Sequence, residues 1–199
     1  MSTSIGNRKD HHLDICLNEN VEPMTSTTGL GGYRLEYDAL PEVSFSDVDL
    51  SINLLGRTLN APIVVGAMTG GTDRARNVNE RLAKAAARVG VGMALGSQRA
   101  MIQAPETGQS FCVRDVAPDL PLLFGNVGAV QLNYGVEPEH IQAAIDRVGA
   151  DALNFHLNPL QEAIQPEGDT DFRSLMEKLP RTIEQLSVPC LVKEVGAGI

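Results

Sequence analysis

The chain has no tryptophan, only three cysteines, and few aromatic residues of any kind, 4% in total. Cys16, Cys112 and Cys190 are odd in number and far apart, with no CxxC spacing and no Cys/His cluster nearby. Neither a disulfide framework nor a zinc site is signalled. No apolar run approaches the length of a membrane span, and the N-terminus, MSTSIGNRKDHH, lacks the apolar stretch of a signal peptide. A cytoplasmic protein without a membrane partner is expected. Cations are also scarce: 16 Lys and Arg against 25 Asp and Glu give a formal charge of −9. That balance argues against a nucleic-acid groove or an anionic membrane surface as partner. It leaves room for a small anionic substrate, because a few cations, backbone N–H groups or a metal ion reverse the field locally. There is no G-x-x-x-x-G-K-[ST] phosphate loop and no nucleophile elbow, and Gly196-Ala197-Gly198 is too short to count as a dinucleotide fingerprint.

The 199 residues are enough for one domain with a real core, and 43% apolar with 21% charged residues is ordinary for a globular protein. Five segments share one pattern, an apolar run ending in small or polar residues: Ala61–Met68, Gly90–Ser97, Pro121–Val127, Asp151–Asn158 and Pro189–Val195. Taken from residues 62, 90, 121, 151 and 189, they recur at about the length of one βα unit. None alternates in and out, so they read as strands of a parallel sheet buried on both faces. Helical patterns fill the gaps. After Asp73, taken as a cap, the stripe Val78, Leu82, Ala85, Ala86, Val89 ends at Gly90. Pro138 opens a second stripe, Ile141, Ala144, Ile145, Val148, ended by Gly149. Glu106–Val116 is a weaker helix, and Pro180 should split Phe172–Leu186 into two short ones. Repeated strand–helix–strand units give either a doubly wound sheet or a (β/α)8 barrel. Residues 1–60 lie outside the repeat as an N-terminal extension, with Thr25–Tyr33 a loop and Val43–Leu59 a hairpin or edge segment; residues 61–199 form the repeat.

The chemistry collects at the strand ends. Met68-Thr69-Gly70-Gly71, Gly96-Ser97-Gln98-Arg99, Gly125-Asn126, then His156, Asn158, Gln161 and Glu162, and finally Lys193-Glu194 occupy the same phase of five successive units. In a parallel α/β sheet all these ends face one side, where barrel enzymes hold their sites. Thr69-Gly70-Gly71 reads equally as a tight turn or as a place where backbone nears a flat cofactor. Lys193 reads as a lysine paired with Glu194, or as one placed to meet an anion, since a buried ammonium is expensive. His156 alone would be a core histidine; beside Asn158, Gln161 and Glu162 it belongs to a site. Glu162 in an oxygen-rich setting suits Mg2+. Arg8-Lys9 is a solvated pair unless an anion must be clamped.

Arg8-Lys9-x-x-His12, PIVVGAMTGGT, GSQRA, Gly125-Asn126, NFHLNPLQE and VKEVG occur in this order. In these motifs the chain resembles the type 2 isopentenyl diphosphate isomerases over essentially its whole length. The resemblance implies an FMN-linked (β/α)8 TIM barrel, of which about the first five βα units are here. It implies interconversion of isopentenyl and dimethylallyl diphosphate with FMN, Mg2+ and a reductant such as NADPH, and a homo-oligomer, tetramer or octamer, at full length. Residue by residue it implies Ala67, Met68, Thr69, Gly70, Ser97, Asn126 and Lys193 along the flavin. Arg8, Lys9, Ser97, Gln98, Arg99, His156, Asn158 and Gln161 would hold the isoprenoid diphosphate. His156 and Gln161 would be catalytic, and Glu162 would bind the metal. Three strands and the loops after strands seven and eight, the usual phosphate site, would still be required, so the 199-residue chain alone is expected to be inactive. Two other readings compete: a different FMN barrel, such as a hydroxyacid oxidase or an IMP dehydrogenase relative, and a non-catalytic half-barrel associating through open sheet edges.

Overall fold

The computed structural model describes residues 4–22, 27–165, 167–196 and 198–199, with side chains from residue 9 onward. Helix α1, Ser4–Asn18, precedes a long extended stretch and a short hairpin of β1, Ile52–Leu54, and β2, Arg57–Leu59. The hairpin pairs Ile52 with Leu59 and turns on Leu55 and Gly56, both at positive φ (53° and 76°), as a two-residue primed turn requires. Five parallel strands follow: β3, Val64–Val65; β4, Gly92–Ala94; β5, Leu123–Gly128; β6, Ala152–His156; β7, Cys190–Lys193. They lie side by side in chain order, β3-β4-β5-β6-β7, in a curled sheet. A doubly wound sheet reverses its order at a switch point. Unbroken sequential order is instead the geometry of a barrel arc.

Five helices complete the core: α2, Asp73–Val89; α3, Arg99–Gln103; α4, Pro138–Val148; α5, Pro159–Ile164; α6, Leu175–Ile183. The α4 stripe Ile141, Ala144, Ile145 and Val148 is buried as its spacing predicts, and Gly149 caps it in the left-handed region. In α2 the cap is Thr72 rather than Asp73: the Thr72 hydroxyl accepts the Ala75 N–H at 3.1 Å, and Asp73 is the first helical residue. Its buried face is also turned from the expected stripe, to Ala75, Asn79, Ala83 and Ala86, leaving Val89 57% exposed. Alanines let the helix approach the sheet closely, and Asn79 bonds the carbonyls of Thr69 and Ser110. Glu106–Val116 forms two 3-10 stretches, Pro105–Phe111 and Val113–Asp115. Pro180 does not split α6, because Leu175, Leu179 and Ile183 keep one face on the core across it. The proline leaves the Met176 carbonyl without its helical donor, on a residue whose side chain is turned to solvent.

Two apolar layers result. Between sheet and helices lie Met93, Leu95, Phe111, Leu123, Val127, Ile141, Leu153 and Phe155, almost wholly buried. The opposite, inner face begins with Leu59, Ala94, Phe124 and Ala152, packed with Ile52, Leu54, Ala67 and Leu191. The hairpin thus plugs the N-terminal ends of the strands. Arg57 fastens it there through the Asp151 carboxylate at 2.6 Å, which also receives Arg114 at 2.6 Å and the Leu123 N–H at 2.8 Å. The extended stretch before the hairpin, residues 27–51, is exposed throughout, with Leu35 93%, Tyr37 92% and Phe45 93% accessible. Part of the expected Thr25–Tyr33 loop lies outside the described residues; the rest includes a single 3-10 turn at Leu30–Gly32. Among the described residues no helix is long and apolar enough to cross a membrane.

Candidate active site

Strand register sets the site. Phe124 lies beside Ala152, Asn126 beside Asn154, Gly128 beside His156, and Asn154 and His156 beside Leu191 and Lys193. Because side chains alternate, Phe124, Asn126, Ala152, Asn154, His156, Leu191 and Lys193 share the inner face. Over two residues of each strand that face changes from apolar to polar toward the C-terminal ends.

His156 bridges two strands there: its Nδ1 lies 3.0 Å from Asn126 Oδ1. Burial first, then the nearby charges of Lys193 and Lys9, push its pKa down to about 4. His156 is therefore neutral at physiological pH. With Asn126 Oδ1 as acceptor, the ring proton sits on Nδ1 and Nε2 is left as an acceptor. Burial also lowers the Lys193 pKa, with Glu194 acting against it, and Lys193 Nζ donates to the Glu194 carbonyl at 3.4 Å.

Lys9, Ser97, Arg99, His156, Asn158, Gln161 and Glu162 line one cavity of about 60 Å³, together with Gln131. Glu162 is 6% exposed and both its oxygens are engaged, Oε1 by Asn158 Nδ2 at 2.8 Å and Oε2 by the Asp169 N–H at 2.7 Å. Arg99 pairs with Asp169 at 2.5 Å. Among the described residues, three buried polar atoms on this cavity have no partner: Arg99 Nε, Gln131 Oε1 and Asn158 Oδ1. Buried polar groups are normally satisfied, so three orphans at one spot mark a place built for a polar ligand.

An adjoining cavity of about 420 Å³ shares Lys9 and Gln161, and adds Met68, Thr69, Val195 and the α1 residues His12, Leu13, Ile15 and Cys16. Thr69 is 3% exposed, and its hydroxyl is likewise buried without a partner among the described residues. Helix α1 is held over the rim by Asp10, which accepts the Thr72 hydroxyl at 2.8 Å, and by Asp14, paired with Arg74 at 2.6 Å. This docking brings Lys9 to both cavities. The Arg8 side chain lies outside the described residues.

Gln98 departs from expectation, and Gly70 and Ala67 have packing roles besides the one expected of them. Gln98 does not face either cavity: it is wholly buried, its Oε1 accepts the Asn126 N–H at 2.9 Å, and its Nε2 donates to the Ala144 carbonyl at 3.2 Å. It is a strut between α4 and β5. Gly70 is small for packing, because a Cβ there would stand 2.0 Å from the Phe111 ring. Ala67 packs in the inner apolar layer. Conversely, Gln131, which lines the cavity, and Asp169, which pairs with Arg99, belong to the site and carry no motif, while Asn154 shares the inner face and opens the NFHLNPLQE run without standing among the expected site residues. Asn154 could have been found by extending the every-second-residue rule from His156; Gln131 lies in the 3-10 stretch Ala129–Asn133 just after β5 and Asp169 in a loop, and no local pattern announces either at the rim.

The donor set bears on cofactors. A flat cofactor above the inner face would meet Thr69, Asn126, Asn154 and Lys193, and the unpartnered Thr69 hydroxyl fits such a neighbour. Among the described residues no group of three His, Cys, Asp or Glu could hold a metal. A Mg2+ ion in this cavity would find one carboxylate, that of Glu162, whose two oxygens each already accept a hydrogen bond.

No family model matches the chain. The chain is 52% identical over 197 residues to an isopentenyl-diphosphate delta-isomerase of Synechococcus sp., covering 99% of this chain and 56% of that protein. It is 48% identical over 192 residues to an isopentenyl-diphosphate delta-isomerase of Rickettsia prowazekii, covering 96% and 56%. The chain thus spans about half the length of the curated relatives it matches. Among solved structures, a mandelate oxidase variant with a monooxide FMN adduct superposes with a TM-score of 0.51 at 14% identity, covering 76% of this chain and 46% of that one. At that identity the likeness is one of fold.

Proposed function

We propose that the chain is part of a flavin-dependent isopentenyl-diphosphate delta-isomerase that interconverts isopentenyl and dimethylallyl diphosphate. The observation that carries it is 52% identity to an enzyme of that name over 99% of the chain. The unpartnered Arg99 Nε, Gln131 Oε1, Asn158 Oδ1 and Thr69 Oγ1 support a polar-ligand site on this rim. FMN is supported by the oxidase neighbour that carries it and by the Thr69–Lys193 rim. Closure of the arc into a (β/α)8 barrel, assembly into a homo-oligomer (tetramer or octamer), Mg2+ at Glu162 and a reductant such as NADPH complete the proposal.

Moving the double bond adds a proton at one carbon and removes one from another, with no net redox change. A bound reduced flavin supplies the acid–base chemistry of that shift. Lys9 and Arg99, with Arg8, hold the diphosphate by charge-assisted hydrogen bonds, remote from the reacting carbons. Ser97, Asn158 and Gln161 orient it. Neutral His156 has no acidic proton at physiological pH; it offers Nε2 as an acceptor, so its role is orientation rather than proton donation. Lys193 favours negative charge on whatever lies above it.

The test is incubation of the full-length polypeptide with isopentenyl diphosphate, FMN, Mg2+ and NADPH. Dimethylallyl diphosphate should form with only catalytic NADPH. NADPH or oxygen consumed in step with product would overturn the assignment and favour an oxidase.

A further inference from the structure

We infer that Asp169 is a positioning residue: it grips one end of the Arg99 guanidinium so that the Nε/Nη2 edge is presented to an anion with two neighbouring oxygens. The inference rests on the diphosphate reading of this cavity. Arg99 gives Nη1 to Asp169 Oδ2 at 2.5 Å, while its Nε is buried without a partner. Nη1 lies away from the Nε–Nη2 side of the group, so the carboxylate leaves that side free to form a two-pronged contact with a phosphoryl end.

Asp169 is itself fixed. It is 8% exposed, Gln131 Nε2 donates to the same Oδ2 at 2.8 Å, and the Asp169 N–H donates to Glu162 Oε2 at 2.7 Å. The preceding Gly168 passes so close to α5 that a Cβ would fall 1.8 Å from the Glu162 carbonyl oxygen. One residue therefore ties the guanidinium and the Glu162 carboxylate into a single rigid frame. A salt bridge serving stability alone would leave the orphaned Arg99 Nε and Gln131 Oε1 unexplained.

The test is a double-mutant cycle read by calorimetric titration of inorganic pyrophosphate into the full-length protein. Asp169→Ala should weaken binding about tenfold beside Arg99, and by less than about twofold in an Arg99→Met background, because the two residues act as one unit. Asp169→Asn, of the same shape, should fall between wild type and Asp169→Ala; it repeats the cycle if the alanine variant fails to fold. An equal loss in both backgrounds, or unaltered affinity beside Arg99, would overturn the positioning role while leaving the diphosphate reading intact. A wild-type protein that does not take up pyrophosphate would overturn both.

Discussion

The imidazole of His156 reaches across from β6 to meet the Asn126 side chain of β5 at 3.0 Å. Asn126 is in turn held by the backbone, its N–H taken by Gln98 and its carbonyl accepting the Gln98 N–H at 2.8 Å. The orientation of the histidine is therefore inherited from a strut on the far side of the sheet, and its protonation from the low dielectric around it.

That inheritance has a pH signature. The folded pKa of about 4 lies below the ordinary 6.5, so below pH 6.5 the unfolded chain binds the proton and the folded chain does not. Stability should be complete above pH 6.5 and fall as the pH drops toward 4, by up to about 3 kcal/mol from this group. Urea unfolding across that range should show the slope in the wild type and a shallower one in His156→Gln. Parallel slopes would exclude His156 as the source.

Gln98→Leu removes the acceptor for the Asn126 N–H while keeping the volume. Leaving that buried donor unpaired should cost about 1–3 kcal/mol. Thermal melts should register this loss, whereas pyrophosphate affinity should fall less than in Arg99→Met, because Gln98 bears on the cavity only indirectly, through Asn126 and His156. A large affinity loss at unchanged stability would return Gln98 to the substrate-contacting set.

What the sequence made legible was periodicity. Strand positions and the α4 stripe follow from short-range patterns, and the structure agrees with them to within a few residues. Helix α1 was not foreseen, since among its described side chains Leu13 alone is buried and no apolar stripe announces it. Nor could Pro180 be read correctly, because its effect depends on where the orphaned carbonyl points. At the rim, residues inside motifs were found and those supplied by long-range return were not: Asp169 and Gln131 meet Arg99 only through tertiary packing. Gln98 and Gly70 sit in recognisable motifs yet serve the scaffold, a distinction that only the direction of a side chain can make.

At the other end of the strands, Asp151 gathers Arg57, Arg114 and the Leu123 N–H, with its side chain 10% exposed. Asp151→Ala should destabilise by about 3–5 kcal/mol, since it strands a half-buried Arg114 and a strand N–H. Arg57→Ala should cost under about 1 kcal/mol, because that arginine is 55% exposed and its pairing is screened. Urea denaturation of the two variants checks the ranking; equal losses would refute it.

The ribbon from residue 27 to 51 turns leucine, tyrosine and phenylalanine side chains to water over its whole length. Such a surface is adhesive, and its tendency to be covered grows with anything that strengthens hydrophobic association. Sulfate or warming from the cold should therefore draw these molecules together well before the sheet itself is disturbed, which would make this ribbon a main determinant of the chain's colloidal behaviour.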